Sequence, residues 1–256
     1  MTDIDTSKPN AARVYDYLLG GSHNFEADRI AAEHLLTIMP SAKNGARLNR
    51  WFMLNAVQRL SESRFTCYLD LASGLPTDDY IHNLVPDARV LYNDIDPVTV
   101  AYARDMIGAD PRIMYMQSNI LDLDTILQAA ETHFNGEHRI GISLVGVAYF
   151  FSDDQLRTIV ESLYAWCDPG SRLAISWLEF PAEENDRFLG VLETYRRMGT
   201  HLSGRPPEQM QTLLGAWQMV DPGIRQLTEW NDVGEWRHAE DDGLGGNMHG
   251  CIVEKV

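Results

Sequence analysis

From Phe65 onward the chain alternates short apolar runs with amphipathic stretches, five times over, and that alternation constrains its fold class most tightly. The runs cover residues 65–71, 89–95, 112–117, 140–148 and 172–180, and helical patterns begin near Asp78, Pro97, Asp122 and Asp153. Runs apolar on both sides, each followed by an amphipathic helix, predict a parallel sheet covered on both faces. Pro97 at a first helical turn and Pro169-Gly170 before the fifth run supply fitting punctuation. Two further helices are expected over 183–198 and 207–217. Two closing runs follow, MVDPGIRQLTEW and MHGCIVEKV, the second in or beside the sheet. Between them WNDVGEWRHAEDDGLGGN is acidic and glycine-rich, as a surface loop is.

The first sixty residues carry a different rhythm. KPNAARVYDYLLGG has Ala11, Val14, Tyr15, Leu18 and Leu19 at helical spacing, with Asn10 as cap and Gly20-Gly21 as stop. FEADRIAAEHLLTIMP turns Ile30, Ala31, His34, Leu35 and Ile38 inward before Pro40, and ARLNRWFMLNAVQRL does so with Leu48, Phe52 and Val57. The expected plan is a helical cap at 1–63, then a doubly wound α/β domain at 64–256 with five parallel strands and a two-strand antiparallel finish.

The size, 256 residues at 45% hydrophobic content, suits such a core. A net charge of −16 argues against nucleic acid or an anionic membrane as the main partner. Cys67, Cys167 and Cys251 have no paired spacing and fit a reducing compartment. The polar start MTDIDTSKPN and the lack of a long apolar stretch make a cytoplasmic protein the expectation. The eight histidines lack ligand spacing, so no metal is expected.

The chemistry concentrates where the first run ends. YLDLASGLPT closes in Asp70 and passes into a small-residue turn at Ala72, Ser73 and Gly74. Twenty residues on, VLYN runs into Asp94 and Asp96. In a doubly wound sheet ligands sit beyond the carboxyl ends of the strands, at the switch point. Gly74, without a Cβ, can expose backbone N–H groups or let a ligand lie close, and Asp94 can accept from a ribose diol. The alternative is a capped strand end whose acids merely cap helices. A dinucleotide needs a glycine-rich turn on its pyrophosphate. Here Pro76 stands where a later glycine would be, and Asp70 repels phosphate but welcomes an ammonium. S-adenosylmethionine, with an ammonium, a sulfonium and a ribose, suits this site better than NAD. Asn119 in MYMQSNILDL is placed to meet an adenine amino group, beside Ile120.

YLDLASGLPT, LYNDIDP and MQSNILD resemble the successive motifs of class I S-adenosylmethionine-dependent methyltransferases. SKPNAARVYDYLLGGSHNFEADRIAAE resembles, more specifically, a bacterial S-adenosyl methyltransferase family first catalogued as a domain of unknown function. ARLNRWF, LPTDDYIH, VAYFFSDD, PGSRLAISW and VDPG agree, so the likeness runs from about Ser7 to Val256. The superfamily's usual turn is D-x-G-x-G; here Ala72 replaces the first glycine and Pro76 follows Gly74. The resemblance implies a Rossmann-like methyltransferase sheet with S-adenosyl-L-methionine as cofactor. Its implied cofactor site comprises Asp70, Ala72, Ser73, Gly74, Thr77, Asp94, Ile95, Asn119, Ile120 and Val145, with Tyr15, Gly20, Asn24 and Arg50 from the helical cap. Arg50, like Arg47, could pair the methionine carboxylate.

Methyl transfer asks for positioning and exclusion of water, and for a base only where the acceptor must lose a proton. Tyr149 and His23 are the catalytic candidates; Trp177, Glu179 and His249 are further acceptor-side residues. Each also has a structural reading, as a cap, a core aromatic or a satisfied histidine. The expected reaction methylates oxygen or nitrogen of a small molecule. The alternatives are another use of S-adenosylmethionine and a non-catalytic binding module.

Overall fold

The computed structural model describes residues 6–75, 80–183, 185–232 and 246–256. Three helices come first: α1 (Ala11–Leu19), α2 (Glu26–Ile38) and α3 (Ala42–Ser61). Asn10 caps α1 through its side chain, and Gly20 ends it in the left-handed region. The strands β1 (Cys67–Leu71), β2 (Arg89–Asp94), β3 (Ile113–Gln117), β4 (Gly141–Leu144) and β5 (Arg172–Glu179) are all parallel. Between them lie α4 (Ile81–Leu84), α5 (Pro97–Ile107), α6 (Leu123–His133) and α7 (Asp153–Trp166). After β5 come α8 (Asp186–Arg197), α9 (Pro207–Leu213), the two-residue strands β6 (Gln218–Met219) and β7 (Arg225–Gln226), α10 (Leu227–Trp230) and β8 (Asn247–Glu254).

The sheet order is β3-β2-β1-β4-β5-β8-β6, with β7 also on β8, and β8 runs antiparallel to β5. The chain therefore winds outward from β1 in one direction and from β4 in the other. The switch point lies between them, with Asp70 and Leu144 at its rim. One face buries Leu69, Leu71, Ile142 and Ile175 under α6, α7 and α9. The other buries Tyr68, Val90, Tyr92 and Ala174 under α3, through Phe52, Met53, Ala56, Val57 and Leu60. α1, α2 and α8 share a third cluster around Val14, Leu35 and Phe188. α3 is thus sheet packing, while α1 and α2 ride above it.

Several expectations are corrected. The run at 140–148 is not one strand: β4 stops at Leu144, Gly146 takes φ +78°, and Ala148–Phe150 forms a 3-10 turn. MVDPGIRQLTEW does not make one closing strand. Pro222 cannot donate to a ladder and Gly223 turns at φ +80°, so the run divides into β6, β7 and α10. α9 ends at Leu213, short of Trp217. On α2 the buried side chains are Asp28, Ala32 and Leu35; His34 and Ile30 face solvent, because α2 meets the body along a narrower stripe than its apolar pattern suggests. Pro76, Thr77 and Asp78, and most of the glycine-rich loop at 230–247, lie outside the described residues.

Candidate active site

The turn after β1 is built by its neighbours rather than by glycine alone. Ala72 sits at φ +54° and Gly74 at φ +67°. A left-handed alanine is disfavoured by roughly 1–2 kcal/mol, so other contacts must hold it. Asn93, wholly buried at the end of β2, supplies them. Its side-chain oxygen accepts from Ala72 N at 3.1 Å, and its carbonyl accepts from Ser73 N at 2.8 Å. Its own amide donates to the Ser118 carbonyl and hydroxyl, both at 3.0 Å. Held this way, Ala72 keeps a positive φ of the kind a glycine takes freely.

Gly74 was expected to offer either N–H groups or open space, and the structure supplies the second. Its N–H donates to Asp94 at 3.0 Å, and its carbonyl accepts from Tyr80 and Tyr115 hydroxyls at 2.9 and 2.6 Å. Among the described residues, a Cβ on Gly74 would meet no atom within 4 Å. The polar groups are spent on fixing the turn, and the described residues leave one face of Cα uncovered.

Asp94, which holds the Gly74 N–H, and Asp70, at the end of β1, are both buried. Burial raises the Asp70 carboxyl from 3.8 to about 6, against the lowering effects of the Ser143 hydroxyl and the Arg50 guanidinium. Burial likewise lifts Asp94 to about 6, although the N–H groups of Asp96 and Gly74 favour its anion. Two carboxyls held this far above their ordinary range gain most from a cation or from hydroxyl donors. A pyrophosphate would be repelled once they ionise. Ile95, beside Asp94, is 59% exposed and offers an apolar flank at the same rim.

Arg13 of α1, which the sequence reading passed over, ties the first helices to this rim. It is 3% exposed, donates to Asp28 at 2.8 Å and reaches both oxygens of Asp96 at 3.3 Å. Asp96 in turn caps α5 through Thr99. An arginine followed in the next helix by an acid is a weak signal; only the fold brings Asp96, 83 residues away, to it.

The N-terminal turn is rigidly built. Asp16 accepts from His23 N at 3.0 Å and from the Asn24 amide at 2.9 Å, and that amide also donates to the Gly21 carbonyl. A Cβ on Gly21 would fall 2.0 Å from the Asp16 carboxylate, so only glycine fits there. Asn24 and Gly20 thus serve this turn. The His23 ring packs edge-on to Tyr102 of α5, 5.1 Å between centroids. It makes no contact with Tyr149, so the two catalytic candidates are not brought together.

At the tip of β4 the residues do converge. Gly146 N donates to the Ser176 hydroxyl at 2.9 Å, and that hydroxyl donates to the Asn49 side-chain oxygen at 2.6 Å. Asn49, on α3, is 1% exposed, and a hydrogen bond from its side chain also bears on the Tyr149 hydroxyl. Tyr149 lies beside it; burial and the hydroxyls of Tyr195 and Tyr15 hold its phenol well above the ordinary range. Tyr15 donates to the Ala46 carbonyl at 2.9 Å, and its pKa is raised by burial against the pull of Arg50. The Arg50 guanidinium lies over the Tyr80 ring, 5.9 Å from its centroid, and its charge favours the anions of both Asp70 and Tyr15. Val145, half-buried, precedes Gly146.

Asn119 is exposed and accepts from Leu121 N at 3.0 Å, closing a local turn. Ile120 is buried in the core with Leu71, Leu91 and Leu123, because the chain dips under the sheet edge there. At the end of β5, His249 pairs with Glu179 at 2.7 Å and stacks on Trp177.

The family model for S-adenosyl methyltransferases matches residues 1–253. A solved structure from Thermobifida fusca YX, described as a candidate methyltransferase, is similar at 29% identity and TM-score 0.85, over 99% of this chain and 97% of that one. A DUF574 family protein from Streptomyces avermitilis MA-4680 is similar at 26% identity and TM-score 0.85, over 99% of this chain and 100% of that one. No curated protein matches the chain.

Proposed function

Because this chain belongs to the S-adenosyl methyltransferase family, with S-adenosylmethionine as methyl donor, we propose that it methylates oxygen or nitrogen of a small molecule at the rim between β1 and β4. One observation supports the placement above all others: the face of Gly74 that the described residues leave open, at the turn between buried Asp70 and buried Asp94. When bound, the cofactor supplies a methyl group already activated by its sulfonium.

In this reading Asp70 holds the ammonium of the methionine end, and Arg50 pairs its carboxylate. Asp94 accepts from the ribose while still fixing Gly74, since each carboxylate oxygen can accept more than once. Ile95 lies along the adenine, with Asn119 at its edge. Val145 and Tyr149 adjoin the methyl, and α1 and α2 shield the site from water. His23 stays a weaker candidate, on the β2 side with Tyr102. A small molecule suits the strongly acidic surface better than nucleic acid does. Among the described residues no helix is long and apolar enough to cross a membrane, and the three cysteines are buried and free. Both fit a protein of the reducing cytoplasm.

The test is release of S-adenosylhomocysteine in the presence of phenols, carboxylic acids and primary amines. Acceptor-dependent release is the expected result. Tight cofactor binding with no release across all three classes would contradict it and favour a binding module.

A further inference from the structure

We propose that Arg13 is a positioning residue for the cofactor site: acting through Asp96, it sets the Asp94 carboxylate that holds the Gly74 turn, and so couples the docking of α1 to cofactor binding. This rests on the reading above only in that Asp94 and Gly74 receive S-adenosylmethionine.

The first support is an unbroken chain of hydrogen bonds. Arg13 Nε donates to Asp28 of α2 at 2.8 Å, and Arg13 Nη1 donates to both oxygens of Asp96 at 3.3 Å. The Asp96 N–H donates to one oxygen of Asp94 at 2.8 Å, and the Gly74 N–H donates to the other at 3.0 Å. The Asp96 side chain is pinned from two sides, by Arg13 and by the first turn of α5, where the Thr99 N–H and hydroxyl donate to it at 3.3 and 3.0 Å. Fixing that side chain fixes the direction of the residue's own N–H, and with it the Asp94 carboxylate. Asp28, Arg13, Asp96 and Asp94 are all buried, so every link acts in a low local dielectric.

The second support is that α1 does not need this link merely to pack. Its apolar face, Val14 and Leu18, joins a cluster drawn from α2, α3 and α8, and among the described residues none from the sheet or α5 belongs to it. Burying an arginine is costly, and an apolar contact would dock a helix at lower cost. What the ion pair adds is a directed connection to the tip of β2. Arg13 suits that task, because one planar guanidinium reaches Asp28, Asp96 and, at 2.9 Å, the Lys8 carbonyl, whereas an ammonium lacks that fixed fork. Charge acts in the same direction. The negative charge of Asp96 disfavours the neighbouring Asp94 anion, and Arg13 offsets it. Docked α1 and bound cofactor thus favour the same arrangement of Asp94, and by linkage each strengthens the other by the same factor.

The experiment uses the whole chain, with S-adenosylhomocysteine as the probe titrated by calorimetry. Wild type comes first: absence of binding would sink the cofactor reading and this proposal with it, whereas each later result bears on this proposal alone. Arg13→Met, which leaves Asp96 uncompensated beside Asp94, should weaken binding at least about tenfold. Adding Asp96→Ser, which removes that charge yet can still cap α5, should bring the affinity back to within about threefold of wild type. Adding Asp28→Asn instead relieves the other stranded carboxylate, and should recover stability while the affinity stays low. Affinity that follows the denaturation midpoint through these variants, or that Arg13→Met leaves unchanged, would overturn the proposal. Hydrogen exchange decides the matter even if Arg13→Met does not fold. S-adenosylhomocysteine should slow exchange of the α1 amides in wild type at least about tenfold more than those of α6, and in Asp96→Ser that difference should vanish. A difference that persists in Asp96→Ser, or none in wild type, would overturn it equally.

Discussion

Asp70 and Asp94 carry the electrostatic load of the site, and their burial makes it measurable. Each has its folded-state pKa raised from 3.8 to about 6. The folded protein therefore holds these protons more tightly than the unfolded chain does. The stability they contribute is fully present below pH 4 and is lost as pH rises through about 6. The difference corresponds to roughly 3 kcal/mol for each carboxyl. The unliganded wild type should lose more stability between pH 4.5 and 7 than Asp70→Asn does, when chemical denaturation is followed at each pH. Parallel curves for the two proteins would contradict the burial argument. These acids were legible in the sequence because an acid ending an apolar run stands out. Asn93 and Asn49 were not, because their importance lies in partners 20 residues away or more. Ala72 was half legible: the missing glycine was plain, but the retained left-handed conformation depends on Asn93.

Among the elements, α1 is the one whose placement most needs explaining. Its amphipathic pattern gave the helix, and Asn10 and Gly20 gave its ends. Where it docks is set by Arg13, whose guanidinium links Asp28 of α2 to Asp96 at the start of α5. Removing one partner of such a buried network strands the others, at about 3–5 kcal/mol. Arg13→Met should lower the denaturation midpoint by that measure. Asp28→Asn added to it should recover part of the loss, by relieving one stranded carboxylate. A single substitution that changes stability by less than about 1 kcal/mol would show that α1 docks by its apolar face alone. Strands β1 to β5 were legible from their uniform apolarity, whereas the true end of β4 was not. Val145, Val147 and Ala148 are as apolar as the strand, and only the φ of Gly146 shows that the chain has left the sheet.

On the scale of the whole molecule, the βα alternation, the switch point and the antiparallel finish on β8 place one family of side chains at one rim. The topology was readable because five parallel strands with helical crossovers admit few windings. The assembly of α1, α3 and α8 over β4 was not, because periodicity says which face of a helix is buried but not against what. Tyr15, Asn49 and Tyr195, from three separate helices, all act on Tyr149 there. The central claim is that this rim, and not another surface, receives S-adenosylmethionine. Calorimetric titration of S-adenosylhomocysteine into wild type, Gly74→Val and Asp70→Asn tests it most directly. Wild type should bind with one site per chain. Gly74→Val, which adds a side chain at the turn, and Asp70→Asn, which removes the carboxylate proposed to hold the ammonium, should each weaken binding at least tenfold while NAD binds none of the three. Unchanged affinity in both variants would contradict the account.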